Sequence, residues 1–263
     1  MAKQERCQIL EQQKIGPNHY KLTLFSKNIA STSLPGQFVN VKCSDSAFPL
    51  LRRPLSLHQI NKKDNSIDLL YEVIGKGTEL LKNYVKGEYL DVLGPLGTGF
   101  QVDPEKTIHI LIGGGMGTAP LMALTNKLKE KKSAVYALLG FRNKELVILE
   151  KEYKKTTDQV LVSTDDGSYG KKGYISELLL ALLNNALSGI HYPQAQIYAC
   201  GPKVMLKTIA EIALQYKIAC QISMEERMAC GIGACKGCAV MTKSGFKMVC
   251  KDGPVFSSEE IVW

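Results

Sequence analysis

Four cysteines stand close together near the end of the chain, Cys230, Cys235, Cys238 and Cys250, in a C-x4-C-x2-C-x11-C spacing. No other stretch restricts the fold as tightly, because thiols so close in sequence must wrap around whatever they bind. Three closely set cysteines and a later fourth are the pattern that ligates a 2Fe–2S cluster. Gly231, Gly233 and Gly237 stand between the ligands, where the absence of a Cβ lets backbone fold tightly around sulfur. Zinc is the competing reading, since four thiolates also close a tetrahedral site. Zinc sites usually pair their cysteines as two C-x2-4-C knuckles, however, and here there is one C-x2-C pair. The short gap before Cys250 makes this segment a compact appendage of a larger protein.

A chain of 263 residues is expected to hold two domains and a small extra module. Its 45% apolar and 22% charged residues are ordinary for a globular protein and exclude fibrous or disordered classes. The apolar run 178–183 is far short of the ~20 residues of a membrane span and is expected as a helix on a core. The N-terminus lacks the apolar stretch of a secretion signal and cysteine-ligated iron favours a reducing compartment, so the expected home is the cytoplasm. The net charge of +8 is scattered without forming one basic stripe. It argues against a nucleic-acid partner and suits a pyrophosphate cofactor or an acidic partner subunit. Cys7, Cys43 and Cys220 lie in strand-like sequence and are expected to be buried bystanders.

From residue 6 to about 99, short apolar or alternating runs at 20–26, 38–43, 55–60 and 67–73 are broken by turn signals. They predict a small antiparallel barrel. Within it, Arg52-Arg53-Pro54-Leu55-Ser56 supplies guanidinium forks for phosphate oxygens, and Gly75-Lys76-Gly77-Thr78 lets backbone N–H groups approach a second phosphate face. Taken singly, each is also an ordinary surface strand start or turn.

After a polar linker at 102–106 the pattern becomes strand, glycine turn, helix: 107–112, then Gly113-Gly114-Gly115-Met116-Gly117, then an amphipathic stretch to about Lys132. Further strands at 134–139, 160–163 and 196–200 predict a doubly wound parallel sheet. The glycine turn is not a true G-x-G-x-x-G and no acid ends the second strand, so the residues alone leave a dinucleotide site and a plain βα turn both open. His109 is expected in the core. Cys200, followed by Gly201-Pro202, stands at the end of a strand, where its residues alone read as a buried thiol. Arg142 and Lys144 suit a 2'-phosphate, whereas Glu145, Asp165 and Asp166 are acids within reach, so NADH and NADPH stay open.

The barrel motif, the Pro35-Gly36-Gln37-Phe38-Val39 segment and the G-G-G-x-G-x-A-P turn with its later Cys-Gly-Pro resemble the ferredoxin reductase family. The resemblance implies an FAD-binding barrel at 1–101, an NAD-binding α/β domain at 102–218 and a 2Fe–2S module at 219–263. It implies that Arg53 and Pro54 meet FAD, Arg53 neutralising its diphosphate. Ser56 would bond the isoalloxazine near its reactive nitrogen, and Gly77 and Thr78 would close on the diphosphate. Leu70, Tyr71 and Glu72 would line the adjoining strand. Leu55 stands where the family has a tyrosine, so Tyr71 is expected to stack on the flavin. Gly113, Gly114, Gly115 and Gly117 would meet the dinucleotide, and Cys200 and Gly201 would lie beside nicotinamide.

The order of barrel, nucleotide domain and cluster, spanning nearly the whole chain, resembles the electron transfer subunits of dihydroorotate dehydrogenase B. That implies FAD, a 2Fe–2S cluster and NAD here, and a separate FMN-bearing catalytic subunit that oxidises dihydroorotate, in a heterotetramer with two subunits of each kind. Small subunits of sulfide dehydrogenases and of NADH-dependent ferredoxin:NADP oxidoreductases share the domain order and remain an alternative. So does an interaction protein with a structural zinc knob.

Overall fold

The computed structural model describes residues 2–129, 133–187 and 192–263. Six strands, β1 (Lys3–Lys14), β2 (His19–Phe25), β3 (Phe38–Val41), β4 (Arg53–Asn61), β5 (Ser66–Glu72) and β6 (Tyr89–Leu96), close an antiparallel barrel in the order β1-β2-β5-β4-β3-β6. Alternation drives the closure, because successive side chains of a strand face opposite sides. Ile67, Leu69 and Tyr71 of β5 point inward with Leu22, Leu24, Leu57 and Val92, while Leu70 turns outward to the next domain. The four expected runs are present as β2 to β5, and β1 and β6 complete the barrel by pairing with each other. Two short helices flank it, α1 (Lys27–Thr32), capped by the Ser26 hydroxyl at 3.1 Å from the N–H of Ile29, and α2 (Lys76–Leu81).

The second domain is a sheet of β7 (Ile108–Gly114), β8 (Ala134–Phe141), β9 (Gln159–Thr164), β10 (Lys171–Lys172), β11 (Ala195–Cys200) and β12 (Ala219–Ser223), all parallel. Helices α3 (Thr118–Lys129), α4 (Glu150–Thr156), α5 (Ile175–Ala181) and α6 (Lys203–Gln215) accompany it. Every residue of β7 is buried, as expected of a parallel strand covered on both faces. The strand order β10-β9-β8-β7-β11-β12 reverses direction between β7 and β11, the doubly wound arrangement expected. The 178–183 run lies in α5 and the turn after it, with Leu178, Leu179, Leu182 and Leu183 buried in the core. Lys132, the expected end of the helix that forms α3, lies outside the described residues.

The third module holds a small hairpin, β13 (Ala239–Thr242) and β14 (Gly245–Met248), and then β15 (Val255–Ser257), which pairs antiparallel with β12. Where the sequence places the start of this module at 219, the chain is still in the nucleotide sheet. Ala219–Ser223 pairs along β11, because its alternating apolar residues complete that sheet. The module is wedged between the two larger domains: Cys238, Val249 and Cys250 share one apolar cluster with Phe38 and Leu96 of the barrel and Ile222 of the sheet.

Candidate functional site

Loop 230–238 arranges its thiols in pairs. The N–H groups of Cys235 and Ile232 point at Cys230 Sγ from 3.4 and 3.5 Å, and that of Gly233 at Cys250 Sγ from 3.0 Å. The N–H of Cys250 points at Cys238 Sγ from 3.4 Å, so Cys230 sits with Cys235 and Cys238 with Cys250. Gly231 and Gly233 have φ of 72° and 83°, the left-handed region a tight sulfur-facing loop requires. Burial opposes ionisation of Cys230, yet the backbone N–H donors pull its thiol down to about 6. Burial first, then the neighbouring Cys238, pushes Cys250 up to about 12. Among the described residues no three His, Cys, Asp or Glu side chains converge on a single metal-ion position. Two thiol pairs with amide donors at sulfur fit a two-iron cluster, two ligands to each iron, better than one tetrahedral zinc.

This loop rests on the outer face of β3. The buried Asn40 directs its side-chain N–H₂ at the Cys230 carbonyl from 3.4 Å, and its Oδ1 has no partner. Phe38 pairs across β3–β4 with Ser56, and Asn40 with Pro54. One strand therefore separates the thiols from the Ser56 face.

On β4 the alternation puts Leu55 in the barrel core and leaves Ser56 half-buried outside it. Arg53 and Gly77 do come together: a Cβ on Gly77 would lie 2.4 Å from Arg53 Nε, so the guanidinium occupies the space that glycine vacates. That is a cradle for a diphosphate, with fork and backbone on one spot. Thr78 differs from expectation. Its hydroxyl accepts from the N–H of Ile74 at 3.1 Å and donates to the carbonyl of Gly75 at 3.1 Å, so it shapes the turn and is spent within it. Tyr71 is a correction. Its ring is buried inside the barrel, stacked on Tyr20 at 5.7 Å, and its hydroxyl donates to Gln12 Oε1 at 3.1 Å, so it faces away from Ser56 and cannot cover a flavin there. Leu70 faces the second domain and Glu72 is partly exposed at the strand end.

At the switch point the two predicted nucleotide elements meet. Gly113 pairs with Cys200, a Cβ on Gly117 would lie 2.2 Å from the Cys200 carbonyl oxygen, and Gly201 packs on Gly114. Gly115, at φ 54°, turns the chain into α3. Ligands of doubly wound sheets bind outside these carboxyl ends. Cys200 is held protonated by burial, which pushes it up to about 12. Beside it a cavity of about 160 Å³ opens between Gly201, Leu206, Met224 and Glu225. Arg142 lies exposed after β8, and the N–H of Lys144 donates to Ser168 at 2.8 Å, so the 142–145 and 165–168 loops form one rim. His109 is in the core beside Tyr198, as expected.

His58, which nothing in the sequence marks out, is wholly buried between the barrel and the second domain. Its pattern carried no signal, because its partners come from α3 and α4.

Curated relatives align end to end. An electron transfer subunit of NAD(+)-dependent dihydroorotate dehydrogenase B from Desulforamulus reducens is 35% identical over all of both chains, and that of Geobacillus thermodenitrificans 39%. The chain belongs to this family. Residues 225–262 match the iron–sulfur cluster binding domain of dihydroorotate dehydrogenase B, and residues 111–211 an oxidoreductase NAD-binding domain. An NADH-dependent reduced ferredoxin-NADP oxidoreductase structure superposes with a TM-score of 0.86 at 28% identity, covering 98% of this chain and 90% of that one. A Neisseria gonorrhoeae ferredoxin NADP+ reductase, solved with FAD and NADP, shares the fold at 18% identity and a TM-score of 0.69, over 82% and 92% of the two chains. This electron transfer subunit is thus an oxidoreductase component with a nucleotide-binding domain and an iron–sulfur domain.

Proposed function

We propose that this subunit carries electrons from the FMN of a catalytic partner to NAD while that partner oxidises dihydroorotate to orotate in pyrimidine biosynthesis. When bound, the 2Fe–2S cluster carries electrons singly, and FAD exchanges them singly with iron and in pairs with nicotinamide. Each residue then has a task. Cys230 with Cys235, and Cys238 with Cys250, hold the two irons, and their amide donors offset thiolate charge. Arg53 and Gly77 hold the FAD diphosphate, and Ser56, with Pro54 on the same strand face, faces the isoalloxazine, while Leu55 turns into the barrel core. Gly113, Gly114, Gly115 and Gly117 bring backbone to the NAD pyrophosphate at the head of α3, and Cys200 with Gly201 packs beside nicotinamide, excluding water.

The observation that carries this reading is the register Phe38↔Ser56: β3 touches the cysteine loop, β4 offers the flavin face, and α3 closes the other side. The reading includes a heterotetramer with two subunits of each kind in the cytoplasm. Among the described residues no helix is long and apolar enough to cross a membrane. The test is to purify the chain from its native host and identify its companion. A flavin and a reducible 2Fe–2S signal with an FMN-bearing partner support the reading, and orotate formation by the single chain overturns it.

A second reading follows from the 28%-identical structure: a small subunit of an NADH-dependent ferredoxin:NADP oxidoreductase. A larger two-flavin companion in that purification would favour it.

A further inference from the structure

His58 stands on the same face of β4 as Ser56, two residues along, at the β-bulge between Leu57 and Gln59. A bulge re-aims the side chain it carries. Here it drives an imidazole with 0% exposure out of the barrel and into the nucleotide domain. Its Nδ1 lies 2.9 Å from the carbonyl oxygen of Ala119, in the first turn of α3. A carbonyl can only accept, so Nδ1 carries the proton and donates. Its Nε2 lies 3.4 Å from Glu152 Oε2 of α4, a salt bridge only while the ring carries both protons.

The receiving end is itself fixed. Tyr153, next to Glu152, donates its hydroxyl to the carbonyl of Thr118 at 2.6 Å. Glu152 and Tyr153 are placed by Leu149, whose φ of 65° is left-handed although it is not glycine and whose carbonyl accepts both their N–H groups at 3.0 and 2.9 Å. Such a conformation persists only where its surroundings hold it. The charged groups around the contact are Glu152 itself, Lys21 from β2 and Lys155 from α4. The carbonyls of Thr118 and Ala119, directly after the glycine turn, are thus tied to α4 and to β4.

We propose that His58 is a positioning residue that sets the flavin strand against the nucleotide-binding turn, and with it the distance over which hydride passes between FAD and NAD. This rests on the FAD and NAD reading above. Ser56 and His58 share a strand face, and Thr118 and Ala119 share a helical turn with the glycines. A hydrogen bond from one pair to the other therefore fixes both halves of the hydride site at its edge, instead of through the distant linker at 102–106. A misplacement of about 1 Å costs roughly 100-fold in rate.

The experiment uses the full chain with its cofactors in His58→Leu, His58→Asn and Glu152→Gln forms. NADH-driven flavin bleaching is followed by stopped flow, and the charge-transfer absorbance between flavin and nicotinamide is recorded after NAD is added to the dithionite-reduced protein. His58→Leu is expected to keep FAD and the cluster EPR signal, lose the charge-transfer band and bleach on the order of 10- to 100-fold more slowly. His58→Asn, which keeps a donor for Ala119, is expected to recover most of that loss. Glu152→Gln, altered at a side chain 41% exposed, is expected to be a few-fold slow with a weakened band. Wild-type rate and band in His58→Leu overturn the proposal. Should that variant lose its flavin, a His58→Asn form that keeps its flavin but shows neither the rate nor the band overturns it. A wild-type chain that NADH does not bleach overturns the FAD and NAD reading instead, a result visible before any variant is made.

Discussion

Gly117→Ala isolates how closely the nucleotide turn must approach the end of β11. Gly117 is not left-handed, so alanine brings no backbone strain there and the whole effect comes from one methyl group. That carbon would lie 2.2 Å from the Cys200 carbonyl oxygen, 2.4 Å from its carbon and 2.7 Å from the Gly201 nitrogen. Comfortable separation is about 3.5 Å, so more than about 1 Å must be recovered, and all three atoms are backbone. Cys200 is clamped by its pairing with Gly113 on one side and Ser223 on the other, which leaves the glycine turn as the part that yields. Overpacking of this kind costs about 1–3 kcal/mol, a fall in Tm of roughly 3–10 °C in a chain this size. The turn carries the dinucleotide, so a shift of about 1 Å is expected to slow NADH-dependent flavin bleaching on the order of 100-fold. Stopped-flow bleaching beside a dithionite control for cofactor content checks this. A Gly117→Ala protein with intact cofactors and wild-type bleaching would refute the reasoning, because the turn would have moved without taking nucleotide with it.

Arg53→Ala removes the fork beside Gly77 and is expected to weaken FAD retention by about 2–3 kcal/mol, roughly 30- to 150-fold, while iron content stays unchanged; gel filtration followed by flavin and iron assay measures both. Cys250→Ser is expected to abolish the 2Fe–2S EPR signal but leave NADH bleaching of the flavin, and loss of both would show that the module supports the barrel itself. Cys7, Cys200 and Cys220 are pushed up to about 12, chiefly by burial. A thiol raised in the folded state favours folding below its ordinary value near 9 and loses that advantage as pH rises toward 12. Urea midpoints should therefore fall progressively above about pH 9, and iodoacetamide at pH 8 should spare the buried Cys7 and Cys220 in the native chain. Alkylation of Cys220 before unfolding would contradict the burial.

The four cysteines, the glycine turn and the barrel strands were legible because each is local: spacing, punctuation and period-2 alternation all lie within a few residues. The inward face of Tyr71 is legible in the same alternation, since Ile67, Leu69 and Tyr71 share one parity. β1 was harder to see, as Cys7 and Ile9 are its fully buried residues and lysine, glutamine and glutamate crowd the rest. Its strand character comes from pairing with β6, far along the chain. Ala219–Ser223 was assigned to the wrong side of a boundary because an apolar strand carries no mark of which sheet it joins. His58 and Asn40 lay beyond reach for the same reason, each gaining its meaning from a domain that docks on it.

β15 runs back along β12, with Val255 opposite Ser223. The segment from 224 to 254 therefore leaves and rejoins the sheet at a single rung, as a plug-in cassette does. A tight turn joining Ser223 to Val255 would close the gap with β12 and β15 still paired. The one-electron port of this subunit is thus carried on one stretch of chain inserted between two neighbouring strands of the reductase sheet. The reductase beneath it would keep its sheet.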